Sequence, residues 1–205
     1  MKPVFSGNED YNKTAFLNWR ISERSDILNL INIAEGFLIS SIELAKHCLK
    51  DNQDKRADIL IFPILTNANH GIELYLKAIN WTLNQLLQLE LKVEGKHNIK
   101  QIFSTVRRKV ETLDGSEALR EFDEWSRGLS DYINELSEKI ESTDKADKMD
   151  FSRYPFSNRY ENHFYVGEIG NVEVDLENLI DRLSAIKSVL ESVIEEYYHY
   201  RLNIT

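Results

Sequence analysis

The segment from Ile61 to Trp81, IFPILTNANHGIELYLKAINW, carries too wide an apolar arc for a helix lying on a protein surface. At helical spacing Ile61, Leu65, Ala68, Ile72, Leu76, Ile79 and Leu83 form one stripe, and Ile64, Leu74, Tyr75 and Trp81 widen it. What remains is a narrow polar face of Thr66, His70, Glu73, Lys77 and Asn80, repeating every three or four residues. A helix of this kind belongs at the centre of a bundle, where its polar side chains need partners inside the protein. Those partners make either a functional site or a structural network.

The rest of the chain supplies the surrounding helices. Three prolines and eight glycines in 205 residues disfavour a turn-rich β fold and favour an all-α domain. This length suits one core and is short for two. We expect an N-terminal arm over residues 1–22, then a single helical domain over residues 23–205 built as an up-down bundle of about five helices. The first helix is predicted from Glu23 to Lys50, and the second from Lys55 to Leu91 with a kink at Pro63. Asn98, with Gln101 three residues later, caps a third from Ile99 to Leu113. Asp114-Gly115 is a turn, and a fourth helix from Ser116 to Glu141 turns Leu119, Phe122, Trp125, Leu129, Ile133, Leu136 and Ile140 inward.

Between Ser142 and Val174 the period disappears, which predicts a long loop of the kind that carries function. Phe151 to Phe156 and Tyr160 to Tyr165 should pack back on the body. His163 to Val166 and Val172 to Val174, around Gly167 and Gly170, suggest a small β-hairpin. Asp175 then caps a last helix reaching Arg201.

With 34 acidic against 25 basic residues the net charge is -9, so any contact with nucleic acid must be local. Lys92, Lys96, Lys100, Arg107, Arg108 and Lys109 face only Glu94 and form the one basic stretch, read most simply as a solvated helix face. The single Cys48 sits on the apolar phase of its helix and reads as a buried thiol. No signal peptide is evident, and no apolar run approaches the roughly 20 residues that span a bilayer. The expectation is a cytoplasmic protein without a membrane partner.

His70, Glu73 and Lys77 place an imidazole, a carboxylate and an ammonium within two turns, the material of acid-base chemistry or of an i, i+4 ion pair. The five histidines show no pair at metal-binding helical spacing. Glu121 and Glu124 followed by Glu141 and Asp144 are similar to the carboxylate pattern with which all-α nucleotide pyrophosphohydrolases hold magnesium, and this is one alternative reading. Phosphate-loop, dinucleotide and nucleophile-elbow motifs are absent from the sequence.

Three ordered segments resemble the HEPN superfamily of helical bundles. They are Asn69-His-Gly-Ile-Glu-Leu-Tyr-Leu-Lys-Ala78, then Gly95-Lys-His-Asn-Ile-Lys-Gln-Ile-Phe103, and then Phe151-Ser-Arg-Tyr-Pro-Phe156 with Val174-Asp-Leu-Glu-Asn-Leu179. The resemblance implies a bundle of four or five helices, a homodimer, and a place in a prokaryotic defence or toxin-antitoxin module beside a partner protein from a neighbouring gene. It also implies an RNA or nucleotide ligand and no cofactor. The family's ribonucleases use Arg, four to six residues, then His. Here the nearest approach is Arg159 and His163 with three residues between, a degenerate version that leaves a metal-independent ribonuclease as a second alternative. The favoured expectation is binding, with His70, Glu73, Lys77, His97, Arg153 and Tyr154 converging into a polar junction. A second copy covering Tyr197, Tyr198 and Tyr200 on the last helix is a further expectation.

Overall fold

The computed structural model describes residues 1–21, 23, 25–90, 97–141, 150–156, 159–166 and 172–202. Among these residues the helices are α1 (Asp26–Lys50), α2 (Ala57–Leu86), α3 (Ile99–Trp125), α4 (Arg127–Glu141) and α5 (Leu176–Ile194). α5 runs directly into a π-helix, Glu195–Leu202, and short 3-10 turns occupy Tyr11–Lys13 and Asp150–Ser152. The all-α bundle expected from composition is the fold found. Residues 1–21 contribute no buried side chain.

Caps start the helices where the sequence places them. Asn98 accepts a hydrogen bond from the Gln101 amide at 3.0 Å, and Asp175 accepts from the Glu177 and Asn178 amides. Ser25 caps α1 by accepting from the Leu28 amide, so that helix begins at Asp26 and not at Glu23. α2 continues through Pro63, which lies exposed in its second turn and gives up the hydrogen bond an amide there would donate to the Ile59 carbonyl.

α1 and α2 lie antiparallel and very close. The Ser41 hydroxyl donates to the Ile64 carbonyl at 2.8 Å, and Gly71 fits against Ala34 and Leu38. Only small residues allow this approach, and Ala34, Ala45 and Ala68 are wholly buried along the seam. α2 is the central helix: Ile64, Ile72, Tyr75, Leu76, Ile79 and Leu83 are all 1% exposed or less.

α3 is two arms joined at Gly115, whose φ of 88° and ψ of 179° end one helix and start another. The arms fold back on each other. The Arg107 guanidinium donates two hydrogen bonds of 2.6 Å to Asp123, and the Phe103 and Phe122 rings meet at 6.1 Å. The turn expected at Asp114-Gly115 is therefore present.

Four expectations are corrected. Trp125 is 59% exposed, not inward, because Ser126, 1% exposed, takes the inward place between Phe122 and Leu129. No hairpin is seen among the described residues: residues 164–166 are turns, residues 172–174 have no regular structure, and the pairing described there is a single Phe156–Asn162 bridge, with Gly167 and Gly170 outside the described residues. Tyr197 and Tyr198 are each only 7% exposed, since the π-helix adds a residue per turn and swings both rings inward, leaving Tyr200 alone on the surface. Finally, α1 is by length and composition long and apolar enough to cross a membrane, because its uncharged Asn32, Ser40 and Ser41 interrupt the apolar run without adding charge. In this fold the same apolar positions serve the seam with α2.

Candidate functional site

The polar face of α2 meets a different partner at each turn. At its upper end Thr66 Oγ1 donates to the Phe62 carbonyl at 2.9 Å and lies 2.9 Å from the Ser152 hydroxyl. That contact anchors the long loop. Beside it Phe151 is buried, the Tyr165 ring packs on Phe62 at 5.4 Å, and the Tyr165 hydroxyl lies between the Phe151 and Tyr154 carbonyls at 2.8 and 3.2 Å. The expected packing of this loop against the body is thus realised in part: Phe151, Ser152 and His163 are buried, while Tyr154, Phe156 and Tyr160 face solvent.

One turn on, His70 is half-buried with its ring edge-on to Phe37, centroids 4.5 Å apart. Its Nδ1 is buried and has no hydrogen-bond partner among the described residues. Burial depresses its pKa, the Glu73 carboxylate opposes that shift, and the charges of Arg153, Lys77 and His97 reinforce it. Burial therefore biases the imidazole toward its neutral form.

Glu73 is 3% exposed and is the centre of the arrangement. Its Oε1 accepts from Lys77 Nζ at 2.6 Å and from His97 Nδ1 at 3.0 Å. A carboxylate only accepts, so the His97 Nδ1 bears the proton. The His97 side chain is 74% exposed while that of Lys77 is 14% exposed, so the cluster opens to solvent through the imidazole. Two N–H donors gathered on one buried oxygen can turn to a phosphate or carboxylate of a ligand, or can fix the start of α3 against α2.

Of the residues singled out from sequence, His70, Glu73, Lys77 and His97 come together. Arg153 acts electrostatically on His70, placing it in the same field, and Tyr154 beside it is 56% exposed. Arg159 is on the surface, whereas His163 is 5% exposed beneath the loop, its amide donating to the Pro155 carbonyl and its ring stacked near Tyr165.

The basic stretch does not make a single face. Lys109 turns inward, 8% exposed, and donates to the buried Asn80 Oδ1 at 2.6 Å, while Arg107 is engaged with Asp123; Lys92, Glu94, Gly95 and Lys96 lie outside the described residues. Among the described residues no three His, Cys, Asp or Glu side chains group as metal ligands. Glu121 and Glu124 are exposed, and Asp144 and the Glu141 side chain lie outside what is described.

Two polar pairs escape a reading of the sequence. Lys109 is in phase with the apolar Ile102 and Val106, a signal that it points inward. Asn69, one position off the polar stripe, accepts from the Tyr132 hydroxyl at 2.7 Å deep in the core. A third cluster has no local signal: Arg201 and the Tyr197 hydroxyl both donate to Asp114 from 83 or more residues away. Comparison of the chain with family models, with curated proteins and with solved structures found no match.

Proposed function

We propose that this chain is a HEPN-like binding or regulatory protein that takes a nucleotide or the phosphate end of an RNA at the junction of α2 and α3. In this reading it works in the cytoplasm as a homodimer within a prokaryotic defence or toxin-antitoxin module, alongside a partner protein from a neighbouring gene. The observation that carries the reading is the buried Glu73 holding Lys77 and His97 on one oxygen, with Arg153 contributing to the same field. Lys77 is offset by Glu73, so the positive charge at this site, on a chain of net charge -9, comes from Arg153. Binding is favoured over cleavage by the 5% exposure of His163, which keeps the imidazole of the degenerate Arg-His pair away from an external phosphodiester.

The test is equilibrium binding of a fluorescent nucleotide and a labelled RNA to the wild type, His97→Ala and Arg153→Ala. Both positions are exposed, so neither variant threatens the core. Weakened binding and a shallower salt dependence in both variants support the reading. Wild-type protein that binds neither probe refutes it. Incubation of labelled RNA in EDTA separates the alternative: cleavage that persists in EDTA and vanishes in His163→Ala would make the protein a metal-independent ribonuclease.

A further inference from the structure

The loop that docks on α2 presents aromatic rings to solvent. Tyr160 is 85% exposed, Tyr154 56% and Phe156 42%, and the Phe156 and Tyr160 rings are stacked with centroids 5.7 Å apart and planes 26° from parallel. A single backbone bridge between Phe156 and Asn162 ties the two sides of the loop and so holds that pair of rings in register.

Tyr160 also has a φ of 60°, a left-handed conformation that a bulky aromatic residue rarely adopts. Such a backbone is disfavoured, and persists where surroundings enforce it. Here the ring gains almost no burial in return. Asparagine or glycine would sit at this position with less strain, so the fold alone gives no reason for tyrosine.

The charges around the rings are arranged for an anion. Among the described residues from Phe151 to Val166, Arg153 and Arg159 stand against the single carboxylate of Glu161. The anchor between Thr66 and Ser152 places Arg153 immediately next to the junction, where its charge is felt at His70. Protein interfaces are also rich in Tyr, Phe and Arg, so the excess of guanidinium over carboxylate around the rings is what favours a polyanion here. This patch alternates rings with guanidinium groups, which suits bases that stack and phosphates that need neutralising.

We infer that Tyr154, Phe156 and Tyr160 form a stacking platform for unpaired nucleobases, flanked by Arg153 and Arg159, so that the ligand is a single-stranded nucleic acid whose phosphate backbone continues into the Glu73 junction. This rests on the proposed function and deepens it by naming the ligand as base-bearing and unpaired. A duplex buries its base faces and is excluded from such a platform.

Fluorescence anisotropy with a short labelled oligouridylate, an abasic strand of the same length and a duplex tests the inference. The variants are Tyr160→Asn, which keeps the left-handed backbone without the ring, Tyr160→Trp, which restores a ring, and His97→Ala. Tyr160→Asn should weaken oligouridylate binding about five- to tenfold, the low end for an exposed stacking ring, and leave the abasic strand unaffected. Tyr160→Trp should bind like the wild type, and the melting temperature of Tyr160→Asn should equal or exceed that of the wild type. Equal affinity of Tyr160→Asn and wild type for oligouridylate overturns the platform. If His97→Ala still weakens binding in that case, the junction stands without it. Loss in Tyr160→Asn with none in His97→Ala keeps the platform and removes the junction. A wild type that binds no strand removes both. A halving of the mass in solution by Tyr160→Asn, with no strand bound by the wild type, makes the patch a protein interface and overturns the inference.

Discussion

Replacing Gly71 with alanine probes the closest approach in the bundle. A Cβ at that position would lie 2.8 Å from Leu38 Cγ and 3.1 Å from both the Ala34 carbonyl oxygen and the Leu38 amide nitrogen. Leu38 is fully buried and has no space to swing into, and the other two atoms belong to the α1 backbone, which moves only as a helix. Overpacking of this kind costs about 1–3 kcal/mol. Alanine recovers roughly 1 kcal/mol over glycine inside a helix. With three crowded contacts the clash belongs at the upper end, and the net loss is about 1–2 kcal/mol, or about 2–8 °C in melting temperature for a domain of this size. Thermal unfolding followed by circular dichroism reads this directly. A double-mutant cycle sharpens it: Leu38→Ala alone costs about 2–5 kcal/mol, but with Gly71→Ala the new methyl enters the vacated space and the double variant loses less than the sum of the two single losses. A Gly71→Ala protein that melts at or above the wild type would refute the close seam, since only the propensity gain would then be acting.

Gly115→Ala should cost about 1–3 kcal/mol by backbone strain alone, because φ 88° and ψ 179° suit only glycine and nothing lies within 4 Å of the added carbon; an unchanged denaturant midpoint would count against the two-arm description of α3. Asn80→Leu removes the hydrogen bond that Asn80 Oδ1 accepts from the buried Lys109 ammonium and should lose about 2–3 kcal/mol, while the double variant with Lys109→Met should recover most of it, as chemical denaturation will show. His70 has its folded pKa depressed below the ordinary 6.5, chiefly by burial, so the unfolded chain binds the proton more tightly than the folded one. Stability should therefore be full above that value and fall as the pH drops from it toward the folded pKa, and His70→Gln should flatten this part of the melting profile; identical profiles for the two proteins would exclude the effect.

What the sequence makes legible follows from period and caps. The wide apolar arc of α2, the inward Ile102, Phe103, Val106 and Val110 of α3, and the caps Asn98 and Asp175 are short-range signals, and each appears in the structure. Glu73 with Lys77 is legible for the same reason, being an i, i+4 pair on one helix. The readings that miss do so at single positions. Ser126 takes the inward place beside Phe122 and leaves Trp125 outside, and the π-helix turns Tyr197 and Tyr198 inward toward Asp114 and Ser25. A wheel drawn at a constant angle per residue carries no sign of the π-helix and does not choose between neighbours at the edge of the apolar face. Lys109 misleads differently: a charged residue reads as solvent-facing until a buried amide such as Asn80 is found to receive it.

The docking of the loop links the two parts of the candidate site through one contact. Ser152 is held by Thr66 on α2, and Arg153 follows it directly, so the position of that guanidinium relative to His70 and Glu73 is set by a hydroxyl pair one turn before the junction. The aromatic support beneath it, Phe62 with Tyr165 and Phe151 with Phe164, is buried or half-buried and therefore resists displacement, whereas Tyr154, Phe156 and Tyr160 on the outer side touch little. A loop clamped on its inner face and free on its outer face keeps exposed rings in place without relying on them for stability. The Phe156–Asn162 bridge and the inner clamp bracket Tyr160 with its left-handed backbone, while its ring stays exposed.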